Sequence, residues 1–352
     1  MLPQLHWALR PHAELVPESA WRTLDERASK VAANSRAATA ELLRLVERFR
    51  REDCPMIPYK GPVLAVLAYG DVTLRHFSDL DLLIPRASIP RAASLIESLG
   101  YRLEHRSGRA AQAVHLGTEY HYLYRHPESG LAVELHGEAI PCFFSFPLTN
   151  EELGRRLETA MVDGQPVPSL SREDLVLLLA MHGTKHEWQC AEQVLSLAAL
   201  VGRSPGLQWE LLLERATALG GRRVLLLGLN LAHTWFECPL PGRMVAEIDR
   251  DAMVAELTAQ VWDYFLGIRK PATSAMQTAS FQARSRERRA DRLRYWILKI
   301  FAPNWDEVEW LPLPRRLMPL YWLLRPVRLA IQFGPELLGL RPPRAALRHH
   351  HH

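Results

Sequence analysis

The sequence is short of features that would settle its class at once, and each absence narrows the field. Its four cysteines, Cys54, Cys142, Cys190 and Cys238, lie far apart with no C-x-x-C pair. That spacing argues against a disulfide framework or a zinc site and leaves reduced thiols of a cytosolic protein. No apolar run approaches the ~18 residues that a membrane span needs. The first residues lack a charged-then-apolar signal pattern, so no secretory leader is expected. There is no internal repeat, and no aromatic-plus-basic module of the kind that binds RNA. The net charge is only +4 over 352 residues. This is too weak to argue for nucleic acid, yet compatible with a polyanionic substrate such as a triphosphate. What is present is ordinary for a soluble protein: 48% hydrophobic and 23% charged residues, enough for two domains with cores. The closing histidines, 349 to 352, read as a purification tag and carry no fold information.

The order of elements follows from periodicity and punctuation. Residues 18 to 50 predict a helix, with apolar residues at Leu42, Leu45, Val46 and Phe49 and a stop at Asp53-Cys54-Pro55. "PMIPYK" predicts a short strand. "GPVLAVLAYG" predicts a short helix, with Pro62 in its first turn and Gly70 at its end. "SDLDLLIP" reads as a strand that starts polar, runs into a core and stops at Pro85. "SIPRAASLIESLGY" predicts a helix with a serine cap and a terminating Gly100. Residues 119 to 140 fit a hairpin around Pro127-Glu128-Ser129-Gly130. After Phe146 the pattern turns helical with little strand signal, and the Pro-rich stretch 163 to 170 reads as a linker.

Two aspartates one residue apart open the strand "SDLDLLIP". Residues i and i+2 of a strand share a face, so Asp79 and Asp81 project together, about 6 to 7 Å apart at their Cα atoms for a rise of ~3.3 Å per residue. Two ionised carboxylates at the rim of a core are costly without a cation. Hard divalent ions supply that charge, and Mg²⁺ takes one or two carboxylates plus substrate phosphates. Glu134, in "LAVELHG", is the candidate third carboxylate, with His136 on the same face. Upstream, Lys60-Gly61 sits at a strand-to-helix turn. Glycine there lets a ligand approach the backbone, and Lys60 suits phosphate. Arg75 lies four residues before Asp79 and offers a forked contact. A D-x-D pair alone recurs by chance and is commonly a solvated strand start; it is the surroundings that favour a site.

Lys60-Gly61, a short helix with Tyr69, Leu74-Arg75, then D-x-D and an aliphatic run together resemble the bacterial uncharacterised nucleotidyltransferase family, of the polymerase-β-type nucleotidyltransferase superfamily. The likeness covers roughly residues 20 to 200. The wider superfamily has Gly-Ser before D-x-D, where this family has Lys-Gly. A later helical segment, "LSREDLVLLLAMHGTKHEW", is similar to a family segment, which aligns His182, Gly183, Lys185, His186 and Trp188. The chain departs from the family at Ser196, where an acid is expected, and at Cys190, where a base is usual. The resemblance implies an α+β fold: a small mixed-sheet core flanked by helices, followed by an α-helical domain. It divides the chain into an N-terminal helical segment (1–54), the core (55–147), a helical domain with a basic Pro-rich end (148–345) and a tail (346–352). It also implies Mg²⁺- or Mn²⁺-dependent transfer of a nucleoside monophosphate from an NTP, ATP by default. The acceptor would be a small molecule, peptide or protein rather than RNA. Asp79, Asp81 and Glu134 would hold metal, and Lys60, Gly61 and Arg75 would hold the nucleotide, with bracing of Asp79 the alternative for Arg75. His136, His182, Lys185 and His186 would support the metal site or touch substrate. The alternative is a nucleotide-binding or antitoxin-like module that keeps the fold without turnover.

Three further signals stand apart. His182 and His186 are i and i+4, a zinc-compatible spacing, but H-G-T-K-H lacks the glutamate of H-E-x-x-H. Residues 283 to 294, with six arginines and two acids, read as a solvated helix face, with a phosphate or RNA contact as the alternative. Residues 311 to 333 hold four arginines, four prolines and no acid. They are expected to pack on the helical domain or a partner, with a peripheral membrane contact as the alternative; their prolines should break any long helix.

Overall fold

The structure is a computed structural model that describes residues 1–104, 121–141, 144, 146–268, 275–303 and 305–337. Cys142, the first residues of the expected hairpin (119 and 120) and the tail 346–352 lie outside the described residues.

The first helices are α1 (Leu2–Leu9) and α2 (Glu18–Arg51). Helix α2 buries Leu24, Ala28, Ala38, Leu42, Leu45 and Phe49; of the four apolar positions read from the sequence, Val46 is only partly buried. Strand β1 (Ile57–Pro58) and helix α3 (Gly61–Tyr69) follow; α3 ends at Gly70 with φ +78, in the left-handed region that glycine favours. Next come β2 (Asp79–Leu83), α4 (Ile89–Ser98), β3 (Arg102–Leu103), β4 (His121–Arg125) and β5 (Ala132–His136). These strands form one mixed sheet of order β1-β2-β5-β4-β3. Only the central β2 and β5 are parallel; the other neighbours are antiparallel. Leu82, Leu83 and Ile84 are fully buried, each contributing about 1.5–3 kcal/mol of apolar burial. They fix β2 so that its polar start emerges at the sheet's rim.

Ser88 precedes α4 as expected, but its side chain makes no capping hydrogen bond. A 3₁₀ turn over Arg86–Ser88 already leads the backbone into the helix.

The stretch 163 to 170 is not a linker. Strands β6 (Leu157–Val162) and β7 (Gln165–Leu170) pair as a hairpin that packs on α3 and β1. Val167, Ser169 and Leu170 are buried, whereas Pro166 and Pro168 fall on the alternate, more exposed positions. A strand with no outer neighbour tolerates prolines spaced by two, because both point their missing donor away from the partner. Between the two sheets lies α5 (Asn150–Gly154), opened by a capping box of Thr149 and Glu152.

The remainder is helical: α6 (Arg172–Lys185), α7 (Ala191–Gly202), α8 (Trp209–Ala218), α9 (Arg222–Phe236), α10 (Gly242–Asp249), α11 (Ala252–Phe265), α12 (Ala275–Arg284), α13 (Arg289–Phe301), α14 (Trp305–Trp310) and α15 (Tyr321–Leu337). One hydrophobic core runs unbroken from Ala38 through the sheet and α6, α7 and α9 to Phe281. Buried Asp174 on α6 pairs with Arg156, Nε to Oδ2 3.1 Å, and with Arg215, tying the hairpin to α6 and α8.

Residues 283 to 294 are not a solvated helix face. They span the end of α12, a turn and the start of α13. The Glu287 carboxylate accepts the Arg222 and Arg223 amides that open α9 (3.1 and 3.3 Å). Arg223 Nη1 donates to the Arg284 and Arg286 carbonyls at 2.9 and 3.0 Å. Arg286 is fully buried, with its guanidinium 4.5 Å above the Phe144 ring, and burial lowers its pKa to about 10.

Residues 311 to 333 do pack on the protein, against α13 and α14. Pro312, Pro314 and Pro319 fall before α15, but Pro326 does not stop it: the helix continues through that proline for 17 residues in all. An internal proline costs about 3 kcal/mol. Buried Tyr321 and the ion pairs of Arg325 and Arg328, described below, hold the helix together across it.

Candidate active site

The parallel pairing of β2 with β5 puts Asp81 opposite Glu134, Asp79 opposite Ala132 and Leu83 opposite His136. Alternation then projects Asp79, Asp81, Glu134 and His136 from one face, at one edge of a cavity of about 390 Å³. Ligand atoms of Asp81, Glu134 and His136 lie within 4.8 Å of one another, and all three residues are buried. Asp79 borders the same cavity but stands outside that tight group.

Lys60 and Gly61 close the cluster from the side. Gly61 has φ +53, and a Cβ there would stand 3.5 Å from the Asp79 carbonyl and 3.6 Å from Leu80 Cδ2. The glycine therefore serves both the turn and the close approach of α3 to β2. The turn delivers Lys60 Nζ to 3.0 Å from Asp81 Oδ1. His136 Nε2 lies 2.9 Å from the same oxygen and 3.2 Å from Glu134 Oε2, bridging the two carboxylates. The Tyr59 ring meets His136 edge-on at 5.6 Å and lies 4.9 Å from Lys60 Nζ.

Electrostatics separates the two aspartates. Burial, then the neighbouring Asp81 and Glu134, push Asp79 up to about 7 against the pull of Lys60 and Arg75. Burial also opposes ionisation of Asp81, but Lys60 and the His136 hydrogen bond outweigh it and hold that carboxyl well below the usual range. Burial disfavours the charged forms of Lys60 and His136 too. For Lys60 the carboxylates prevail, and for His136 the hydrogen bonds to Asp81 and Glu134 do; both pKa values rise.

The opposite wall comes from α6 and α7. His182 and Lys185 lie on α6 and border the cavity; His186 does too, but it is the residue just past the helix end. The two imidazoles are 4.7 Å apart. Burial, together with Lys60, His186, Lys185 and Arg75, lowers the His182 pKa far below normal, so its ring is neutral. Gly183 has a packing reason: a Cβ there would stand 2.5 Å from the fully buried Trp188 ring. Trp188 itself sits at φ +55.

Among the described residues Arg75 does not reach a carboxylate by hydrogen bond. Its Nε donates to Ser196 Oγ at 3.4 Å, and that hydroxyl also bonds the Tyr69 hydroxyl at 3.2 Å. The departure from an acid at position 196 thus reduces a polar link without removing it. Arg75 Nη1 is buried and has no partner among the described residues. Cys190 is exposed and borders the cavity, at the residue before α7.

Sequence reasoning missed Asn150. Its buried amide donates to the carbonyls of Ile84 and His136, both at 3.0 Å, and so clamps the ends of β2 and β5 together. Its one signal is a polar residue just inside a capping box, which has no reason to suggest contacts 14 and 66 residues away.

Residues 1–237 match the family model described as "Uncharacterised nucleotidyltransferase". The chain belongs to that family. It is accordingly a transferase of nucleotidyl groups, with the α+β architecture described above. No curated protein sequence matches the chain. Among solved structures, the chain is similar to the crystal structure of ANT(2")-Ia in complex with adenylyl-2"-tobramycin. The identity is 15% and the TM-score 0.34, over 56% of this chain and 99% of that one. It is also similar to the solution structure of the antibiotic-resistance factor ANT(2'')-Ia, with 13% identity and a TM-score of 0.33 over 66% and 96%. Superpositions this loose say nothing about this chain's substrate.

Proposed function

We propose that this nucleotidyltransferase moves a nucleoside monophosphate from an NTP, ATP by default, to a hydroxyl of a small molecule, peptide or protein, using Mg²⁺ or Mn²⁺ held by Asp79, Asp81 and Glu134. The observation that carries the reading is the gathering of Asp81, Glu134 and His136 within 4.8 Å beside Asp79 at one edge of the cavity. The donor set suits a hard cation. Carboxylate oxygens are what Mg²⁺ prefers. Both donors to Asp81 land on Oδ1, and no described residue donates to Oδ2. When bound, the cation would neutralise the triphosphate and stabilise charge on the attacking and leaving oxygens.

The chain's own residues do the rest. Lys60 and the Gly61 backbone hold phosphate at the start of α3. Arg75, with its unpartnered Nη1, gives a forked contact to the same phosphates. The acceptor oxygen forms a bond to the α-phosphorus, the bond to the β-phosphate oxygen breaks, and that electron pair leaves with pyrophosphate. Glu134 takes the acceptor's proton, and His136 holds Glu134 and Asp81 in place for it. His182, Lys185 and His186 face the acceptor from the opposite wall. The reaction belongs in the cytoplasm, where nucleoside triphosphates are plentiful. Among the described residues no helix is long and apolar enough to cross a membrane.

The test is pyrophosphate release from each NTP in the presence of cell extract, with Mg²⁺, Mn²⁺ or EDTA. Release that needs a divalent ion and falls with Lys60→Ala supports the reading. Release unaffected by EDTA would count against a metal-bridged triphosphate. No release under any condition would favour a binding module without turnover.

A further inference from the structure

Helix α15 is built inside out. Two of its arginines face the protein: Arg325, 8% exposed, donates from Nη1 to the fully buried Glu307 at 2.9 Å and from Nε and Nη2 to the Lys299 carbonyl at 3.2 Å. Arg328 joins Glu307 and, at 3.0 Å, Asp306. Tyr321 is also turned inward, its hydroxyl bonded to the Leu313 amide and the Leu311 carbonyl. The outward residues are apolar: Trp322 44% exposed, Leu323 66%, Val327 51% and Ile331 63%. Leu323, Val327 and Ile331 are spaced i, i+4 and i+8, so they form one stripe.

The adjacent helix α13, held beside α15 by the Arg325–Lys299 contact, also turns apolar residues outward, together with Arg289 and Arg294. Leu293 is 63% exposed, Ile297 46%, Ile300 38% and Phe301 39%. Exposed arginines lie beside both stripes: Arg289 comes one turn before Leu293, and Arg316 lies in the 3₁₀ turn over Arg315–Leu320 that leads into α15. Neither Arg289, Arg294 nor Arg316 has a carboxylate partner among the described residues, and no acidic residue occurs from 311 to 333. Single exposed apolar residues are normal on a soluble protein; two neighbouring stripes are not.

We propose that the α13–α15 face docks in the plane of an anionic lipid surface, with the two apolar stripes in the headgroup boundary and Arg289, Arg294 and Arg316 against lipid phosphates. The charge pattern selects this occupant. Arg289, Arg294 and Arg316 are exposed beside the stripes and have no carboxylate partner among the described residues. Anionic headgroups answer all of them, and amphipathic helices with arginine and tryptophan at their margins bind such surfaces without crossing them.

The experiment is flotation of the full chain with phosphatidylcholine vesicles, with and without phosphatidylglycerol. The wild type should float with the anionic vesicles and largely stay behind with the neutral ones. Leu323→Gln, Val327→Gln and Ile331→Gln combined should weaken binding ~100-fold or more. Arg289→Gln with Arg316→Gln should weaken it about fivefold per arginine, an effect that added salt mimics. Melting curves check that each variant folds; if the triple variant does not, the arginine pair carries the test. Absence of wild-type flotation with anionic vesicles overturns the proposal, as does a folded triple variant that floats equally well. A concentration-dependent dimer that the triple variant abolishes, without vesicle binding, would give the face to a second copy and overturn it too.

Discussion

The rim of the main sheet and the corner where α13, α14 and α15 meet both bury charge, and they resolve it in opposite ways. At the corner Glu307 is shared by Arg325 and Arg328, and Asp306 takes a further contact from Arg328. The two carboxylates are answered by the two arginines, Lys299 beside them is pushed down to about 8 by burial and by Arg325, and apolar residues are left outside. At the rim the core is apolar and the charges stand at the cavity's edge. Three carboxylates meet one lysine, one histidine and an arginine that makes no ion pair among the described residues. The remainder appears as Asp79, pushed up to about 7. A buried network that balances itself is architecture. One that leaves a carboxylate strained toward its neutral form beside a cavity is suited to a ligand that brings positive charge.

The contrast predicts different kinds of damage. The largest effect is expected at the rim. Asp81→Asn should lower nucleotidyl transfer by ~10³ or more, because a transition-state electrostatic contact and a metal ligand go together. Its melting temperature should move by only a few degrees. Near-native transfer by this variant would mean that Asp81 does not hold the cation. At the corner the reverse is expected. Glu307→Gln leaves Arg325 buried without its carboxylate and should cost about 3 kcal/mol by chemical denaturation, with transfer per folded molecule unchanged. A cost below about 1 kcal/mol would show that the corner's pairs are replaceable and would break the comparison.

How much of this was legible in the sequence follows the range of the contacts. The rim could be read because its parts are local: period two placed Asp79 with Asp81 and Glu134 with His136, and Lys60-Gly61 announced a turn. The pairing of those strands, β2 parallel to β5, needed the fold. The β6–β7 hairpin was hidden because Pro166 and Pro168 carry a loop signature, and only the absence of an outer strand makes them harmless. The segment 283 to 294 looked solvated because composition cannot show that the turn within it caps α9. Ser196 looked like a loss until its hydroxyl was found between Tyr69 and Arg75, more than a hundred residues away in sequence.

Smaller effects sharpen the comparison by separating packing from charge. Gly183→Ala sets a Cβ 2.5 Å from the Trp188 ring. Overpacking costs ~1–3 kcal/mol and alanine returns up to ~1 kcal/mol of helix propensity, so a net loss of about 1–2 kcal/mol is expected in denaturant melts. A stabilised variant would show that Trp188 moves freely.

The last effect is a pH dependence at the rim. The folded pKa of Asp79 lies above its unfolded value. Its contribution to metal-free stability is therefore fully present below about 4 and is lost as pH rises to about 7 and beyond. Asp79→Asn removes that loss. In EDTA the variant should melt above the wild type at pH 8, and the gap should close toward pH 5. A gap that is constant across this range would mean that Asp79 is not strained.

The account turns on which phosphorus is transferred, and isotope position reads that directly. The wild type is incubated with Mg²⁺, cell extract and ATP labelled at either the α- or the γ-phosphorus. The prediction is that α-label enters the acceptor product, γ-label appears only in pyrophosphate, and Asp81→Asn stops both. Transfer of γ-label to the product would contradict it, making this rim a site of phosphoryl rather than nucleotidyl transfer.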